Sequence, residues 1–272
     1  MKNMKAMLRA SLLIISAIVC ITPIFLTLTG SLASPEEAKR AYTDHLLISP
    51  EQVTVNQYLK LFFGCRYLEC FYDSLRMSLI IAAGNTVLCF FAAYVFARVR
   101  FPGRGFAFFL ILLGMLMPYQ VSLLPNYLTV RALGLFDTVW SLILPNLFLP
   151  FGVFLLRQFI LRIDQEQYAA FRLESGSTLR MLVGLVLPQV LPAVTATFVL
   201  TFSRAWSMVD QPLALIRNTG LMPLSVMLNE EFGAESGLLF AASAFSMMPI
   251  LILYLFFSDR LIGENWEFMG VQ

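Results

Sequence analysis

Residues Arg162–Pro192, RIDQEQYAAFRLESGSTLRMLVGLVLPQVLP, set a charged segment between two long apolar runs. Arg162, Asp164, Glu166, Arg172, Glu174 and Arg180 would each be costly in a bilayer core, so the segment belongs outside the hydrocarbon. Its patterning predicts a short helix broken at Gly176, a docking element on a membrane surface rather than a passive connector. What flanks it decides the fold.

The chain has 272 residues, 58% of them hydrophobic and only 13% charged, with a mean hydropathy of +0.76. Such apolar content requires lipid as the solvent. Apolar runs of about 20 residues suffice to cross a hydrocarbon core of about 30 Å. The runs are Ser11–Leu32, Leu75–Ala97, Phe106–Leu128, Thr138–Phe159, Met181–Met208 and Leu238–Phe257. Lipid offers nothing to an unpaired N–H or C=O, so each should be helical. The predicted fold class is an all-α polytopic membrane protein of about six transmembrane helices. It forms a single domain over 1–272, with an outer loop at 33–74 and a cytoplasmic loop at 160–180.

Lys and Arg set the orientation. With the N-terminus inside, the short inner segments are dense in Arg98, Arg100 and Arg104, then Arg157, Arg162, Arg172 and Arg180. The outer cations are diluted over a long first loop. The positive-inside rule therefore puts both termini in the cytoplasm. Lys2, Lys5 and Arg9 resemble a signal-peptide n-region, but the apolar run after them is too long for one. The first outer loop shows helix starts at Ser34-Pro35-Glu36-Glu37 and at Thr54–Phe63, and the outer stretch 210–237 carries Glu230, Glu231 and Glu235. Cys20 and Cys89 read as apolar filler. Cys65 and Cys70 lie in the outer loop, where a disulfide is open in an oxidising compartment.

Several chemistries are excluded by what is missing. There is no G-x-x-x-x-G-K-[ST] loop, no H-E-x-x-H and no G-x-S-x-G, and His45 is the one histidine of the chain. The chain reads as neither an enzyme nor a metal protein, and its net charge of +2 does not speak for nucleic acid. The spans also lack the acidic relay of a proton-coupled carrier. Their polar side chains are Asn85, Tyr94, Gln120, Asn126, Asn146 and Arg204, with Asp210 at a boundary. The asparagines serve either as glue between helices or as the lining of a path for a hydroxyl-rich solute. Asp210 lies six residues after Arg204, so the two can pair only if the helix unwinds near Pro212; otherwise Arg204 snorkels outward. Pro118, Pro125, Pro145, Pro150, Pro188, Pro192, Pro212 and Pro249 mark either tolerated kinks or helices broken around a cavity, and spacing alone does not choose.

Leu187-Pro188 with Pro192, the stretches Ala92–Gly105 and Met117–Thr138, and Ala205-Trp206 with Pro212-Leu213 stand in an order and spacing on which nearly the whole chain resembles a permease subunit of an ABC-type sugar importer, similar to the second permease of maltose, multiple-sugar and glycerol-3-phosphate systems. Leu187-Pro188 and Pro192 resemble the L-P-x-x-x-P that follows the family's cytoplasmic loop E-A-A-x-x-D-G-A-S. Counting back places that loop on Ala169-Ala170-Phe171-Arg172-Leu173-Glu174-Ser175-Gly176-Ser177. Ala92–Gly105 resembles A-Y-x-x-A-R-x-x-F-x-G-R, and Met117–Thr138 the proline run ending in G-L-x-x-T. Ala205-Trp206 with Pro212-Leu213 resembles W-N-x-x-x-x-P-L, and Met222-Pro223-Leu224 the family's L-P-L. Ala241–Gly263 matches its last span. The loop departs from the pattern: Ala169 replaces its leading Glu, Phe171 its second Ala, Glu174 its Asp and Ser175 its Gly.

The resemblance implies a type I ABC importer permease, multi-pass in a bacterial or archaeal plasma membrane and coupled through residues 162–180. Its implied partners are a second homologous permease, two ABC ATPases that bind the ATP, an extracytoplasmic solute-binding protein and membrane lipid. Coupling to the ATPase would fall to Glu166, Ala169, Ala170, Phe171, Arg172, Leu173, Glu174, Ser175 and Gly176, with Phe171 and Leu173 as apolar anchors. The candidate substrate path is Asn85, Gln120, Asn126, Asn146, Arg204, Trp206 and Asp210. The alternatives are an ABC permease for a non-sugar solute, an ion-driven carrier, and a non-transporting scaffold.

Overall fold

The computed structural model describes residues 2–34, 53–230 and 236–262. The helix start at Ser34–Glu37, apart from Ser34, lies outside the described residues, as do His45, Glu231 and Glu235. All regular structure among the described residues is helical. In chain order it comprises α1 (Lys2–Ser31), α2 (Asn56–Phe63), α3 (Tyr67–Arg98), α4 (Arg104–Leu116), α5 (Tyr119–Ala132), α6 (Trp140–Asn146) and α7 (Pro150–Arg162). Then follow α8 (Gln165–Ser175), α9 (Thr178–Met181), a π turn (Leu182–Val186), α10 (Leu187–Trp206), α11 (Asp210–Leu215), a 3₁₀ turn (Thr219–Leu221), α12 (Leu224–Glu230), α13 (Ser236–Ser246) and α14 (Met248–Ile262). Five stretches of the described residues are long and apolar enough to cross a membrane, or six if the bent pair α4–α5 is one span.

The elements form two packing units. The first comprises residues 1–71 and 224–248, and α13 packs there against both α1 and α2. Phe62, Tyr67 and Phe71 surround the ring of Phe245 at centroid distances of 5.0, 6.0 and 5.2 Å. The Tyr67 hydroxyl donates to the Ala242 carbonyl at 2.9 Å, and Tyr58 Oη to Ser31 Oγ at 2.8 Å. The short helix read at Thr54–Phe63 thus finds its partner in the last apolar run. Cys65 and Cys70 are not joined by a disulfide: Cys70 is buried on α3, while Cys65 sits in the bend before it.

The second unit comprises residues 72–223 and 249–272. Its main core joins α3, α7, the π turn and α10 through Cys89, Ala93, Val153, Leu156, Ile160, Val186, Val190 and Ala193, all essentially inaccessible. Small residues such as Ala93 and Ala193 let these helices approach closely, which is how spans gain packing energy when lipid is as apolar as they are.

Two spans are broken at prolines. Phe106–Leu128, expected as one helix, is instead α4 and α5 set at 106°. A residue before proline is driven out of the helical region, and Met117, before Pro118, has ψ 129°. Leu149, before Pro150, likewise has ψ 123° and separates α6 from α7. Carbonyls freed inside a membrane need donors. Asn85 Nδ2 on α3 donates to Leu147 O at 3.3 Å, and Cys89 Sγ to Leu149 O at 3.4 Å. Asn85 Oδ1 in turn accepts from Thr201 Oγ1 of α10 at 3.1 Å. Asn85 is therefore the glue of the broken span.

Outside the spans, Asp137 clasps two loops. Its Oδ1 accepts from the backbone N–H groups of Arg217 (2.8 Å) and Asn218 (2.9 Å), and its φ of 60° is the left-handed value that Asp tolerates better than most residues. These two bonds, first to Asn218, then to Arg217, hold the carboxyl below the usual aspartate range.

Replacing Asn85 with Leu should cost about 1–2 kcal/mol against unfolding in detergent. Thr201→Val should add little in that background, and a fully additive double variant contradicts the shared bond. A carbon-13 titration of the Asp137 carboxyl should give a midpoint below that of an ordinary aspartate. A depressed folded-state value means the clasp is intact at neutral pH and is lost as pH falls through that value; an ordinary midpoint contradicts it.

Candidate functional site

The charged segment folds as expected into a short helix with defined ends. The side chain of Asp164 caps α8 by accepting from Glu166 N at 3.1 Å. Glu166 lies in the first turn and Arg172 in the last, each favourable to the helix dipole. Gly176 ends the helix with φ 58°, a conformation natural to glycine.

Two side chains, three residues apart, turn α8 onto its own chain. Tyr168 Oη shares a 2.8 Å hydrogen bond with Tyr94 Oη of α3. The Arg98 guanidinium lies 4.7 Å from the Tyr168 ring centroid while donating to Ile160 O (2.8 Å) and Ile163 O (2.6 Å) at the end of α7. Phe171 rests on Gly184 in the π turn, where a Cβ would come within 2.9 Å of the ring's Cζ. Gln189 Nε2 adds a bond to Gln167 Oε1 at 3.2 Å.

The rest of α8 is bare. Glu166, Ala169, Ala170, Arg172, Leu173 and Glu174 are exposed, and Leu173 is 90% accessible. Ser175 closes the helix before Gly176. The two residues expected as apolar anchors differ in whether they face outward. Leu173 does so, whereas Phe171 is half-buried against Gly184. The outward stripe runs Glu166, Ala170, Leu173, Glu174, which is one helix face.

Elsewhere in the same unit a cavity of about 350 Å³ gathers Gln120, Asn146, Arg204 and Asp210 with Tyr119 and Gln211. The helix is interrupted at residues 207–209, before Pro212: α10 ends at Trp206 and α11 begins at Asp210. Among the described residues it creates no Arg204–Asp210 ion pair; the Arg204 guanidinium sits 5.7 Å from the Tyr119 ring centroid. Asn146 Nδ2 donates to Gln211 Oε1 at 2.7 Å, and Gln211 Nε2 to Ser141 O at 3.3 Å. The buried Tyr119 hydroxyl has no partner among the described residues. Three expected residues lie outside this cavity. Asn85 bridges helices, Asn126 is half-buried on α5, and Trp206 is buried with its ring stacked on Phe202 at 5.9 Å. Gln211 and Tyr119 escape a reading of the sequence alone, although both follow a helix break and that proximity was the available signal.

Residues 79–262 match the family model described as "Binding-protein-dependent transport system inner membrane component". The chain belongs to that family. It is a transport permease, multi-pass in the inner membrane, and its family works with binding-protein and ATPase partners. The permease is 28% identical over 245 residues to the arabinooligosaccharides transport system permease protein AraQ of Bacillus subtilis strain 168, covering 89% of this chain and 87% of that one. It is also 28% identical over 218 residues to the sn-glycerol-3-phosphate transport system permease protein UgpE of Brucella abortus strain 2308, covering 78% and 76%. In fold it resembles a chain of a bacterial ABC transporter involved in import of the acidic polysaccharide alginate. The TM-score is 0.82 at 20% identity, over 94% of this permease and 96% of that chain.

Substituting Gly184 with Val removes the seat of Phe171 and should loosen α8. Amide hydrogen exchange across 165–175 should accelerate relative to the unmodified chain, while unchanged exchange contradicts the seat.

Proposed function

We propose that this chain forms one half of the translocation path of a carbohydrate importer, opposite a second homologous permease. In this reading both termini and α8 lie in the cytoplasm. A solute-binding protein delivers a sugar or sugar derivative to the outer face. Two ATPase subunits hold the ATP and close against each other, and that motion reaches this chain through α8.

The observation that carries the reading is the asymmetry of α8. Its aromatic residues are fixed to α3 and the π turn, and its outward stripe leaves Leu173 without cover. A helix held on one face and bare on the other suits insertion into a partner's groove. A lever also needs contacts that differ between the partner's two states, and α8 offers an apolar point, Leu173, flanked by Glu166 and Glu174. Carbohydrate as cargo is supported by the named relatives and by the amides of Gln120, Asn146 and Gln211, which suit hydroxyl groups. The family's dependence on binding proteins weighs against the ion-driven carrier that the residues alone left open.

Changing Leu173 to Asp should lower ATP-driven uptake by assembled vesicles roughly tenfold or more, as expected when a central interface anchor is lost. The amount of permease in the membrane should stay the same. Uptake equal to that of the unmodified chain would overturn the docking role.

A further inference from the structure

A second cavity in the unit of residues 72–223, about 800 Å³, lies beside α8 where several spans meet their ends. Four arginines line it, Arg98, Arg100, Arg104 and Arg172, with Gln165 and Thr178 among its further polar residues. No carboxylate lines it among the described residues. Asp164, Glu166 and Glu174 are nearby in sequence but exposed and outside the wall.

Two of the four arginines of this wall are committed to carbonyls and two are not. Arg98 uses Nη2 on the carbonyls of Ile160 and Ile163, while its Nε is buried without a partner among the described residues. Arg104 donates Nη1 to Val99 O at 3.2 Å. Arg100 and Arg172 make no hydrogen bond or ion pair with described residues. Four like charges in one concavity repel each other unless an anion sits between them. The planar fork of arginine suits the oxygens of a phosphoryl group, which it can grip in pairs.

The depth of the cavity narrows the ligand further. Arg98 closes one span, Arg104 opens another, Thr178 opens a third, and Leu161 is next to the last residue of a fourth. The cavity therefore stands where hydrocarbon gives way to water, the level of lipid phosphates, and basic pockets between spans at that level hold anionic headgroups. We propose that this cavity binds a phosphoryl anion, supplied by a lipid headgroup or by soluble phosphate. Because Gln165 and Arg172 belong to α8, an occupant ties that helix to α3 and α4 and so sets its position. The proposal is independent of which solute is carried.

The test uses the full chain in its assembled complex, stripped of lipid in a neutral detergent. Phosphatidylglycerol, inorganic phosphate and, as a control without phosphate, diacylglycerol are titrated and bound species counted by native mass spectrometry. Retention of phosphatidylglycerol alone assigns a lipid headgroup; retention of inorganic phosphate assigns a soluble source. Either upholds the site if Arg100→Gln/Arg104→Gln weakens binding about tenfold or more and Arg162→Gln/Arg180→Gln, outside the wall, does not. Equal retention of diacylglycerol, no retention of either phosphate probe, or an unaffected glutamine pair overturns it. If that pair does not assemble, phenylglyoxal modification of the unmodified chain decides. Protection of Arg100 and Arg104 by the bound probe upholds the site, and its absence overturns it.

Discussion

The Arg98 guanidinium makes three contacts on which the seating of α8 depends. It donates to the carbonyls of Ile160 and Ile163, where α7 ends, and it lies on the ring of Tyr168. Carbonyls at a helix end have no partner within the helix, and hydrogen bonds from a charged donor contribute about 1.5–3 kcal/mol each. One side chain at the last turn of α3 thus closes a neighbouring span and seats the surface helix. The Tyr94–Tyr168 bond and the Phe171–Gly184 contact extend that seat along one turn of α8. As a result, α8 is an extension of the spans rather than a loose loop. A partner that pushes on Leu173 pushes on α3 and α10 as well.

The same demand, that no polar backbone group stay unpaired, shapes the middle of the membrane. Pro118 and Pro150 break their spans, and the second break survives because Asn85 and Cys89 of α3 supply donors. The break after Trp206 brings Asp210 and Gln211 beside Asn146 and Arg204, so a polar cavity forms where an unbroken helix would have faced lipid or core.

Much of this was legible in the sequence, since the spans follow from apolar length and α8 from its charged residues and its Gly176. The limits were physical. Pro118 and Pro150 break helices, whereas Pro125, Pro145 and Pro192 lie within them. At Pro150 the freed carbonyls of Leu147 and Leu149 find their donors on α3, partners that no local pattern reveals. Asn85 and Asn146 looked alike, yet one bridges helices and the other lines a cavity, because their partners are distant in sequence. The inward turn of Phe171 was half legible: its spacing from Tyr168 pairs the two rings on one face. What decided that this face was inward is Gly184, and its register runs through a π turn that regular helical counting does not foresee.

The central claim is that α8 moves as one body with the spans of its own chain. Spin labels at Gln165→Cys, on α8, and Leu200→Cys, on the exposed face of α10, would measure this in the assembled importer. The distance should be the same with and without ATP, while the corresponding distance between α8 and the ATPase changes. A shift within the permease on ATP binding, of the size expected for a helix swinging free, would contradict the account.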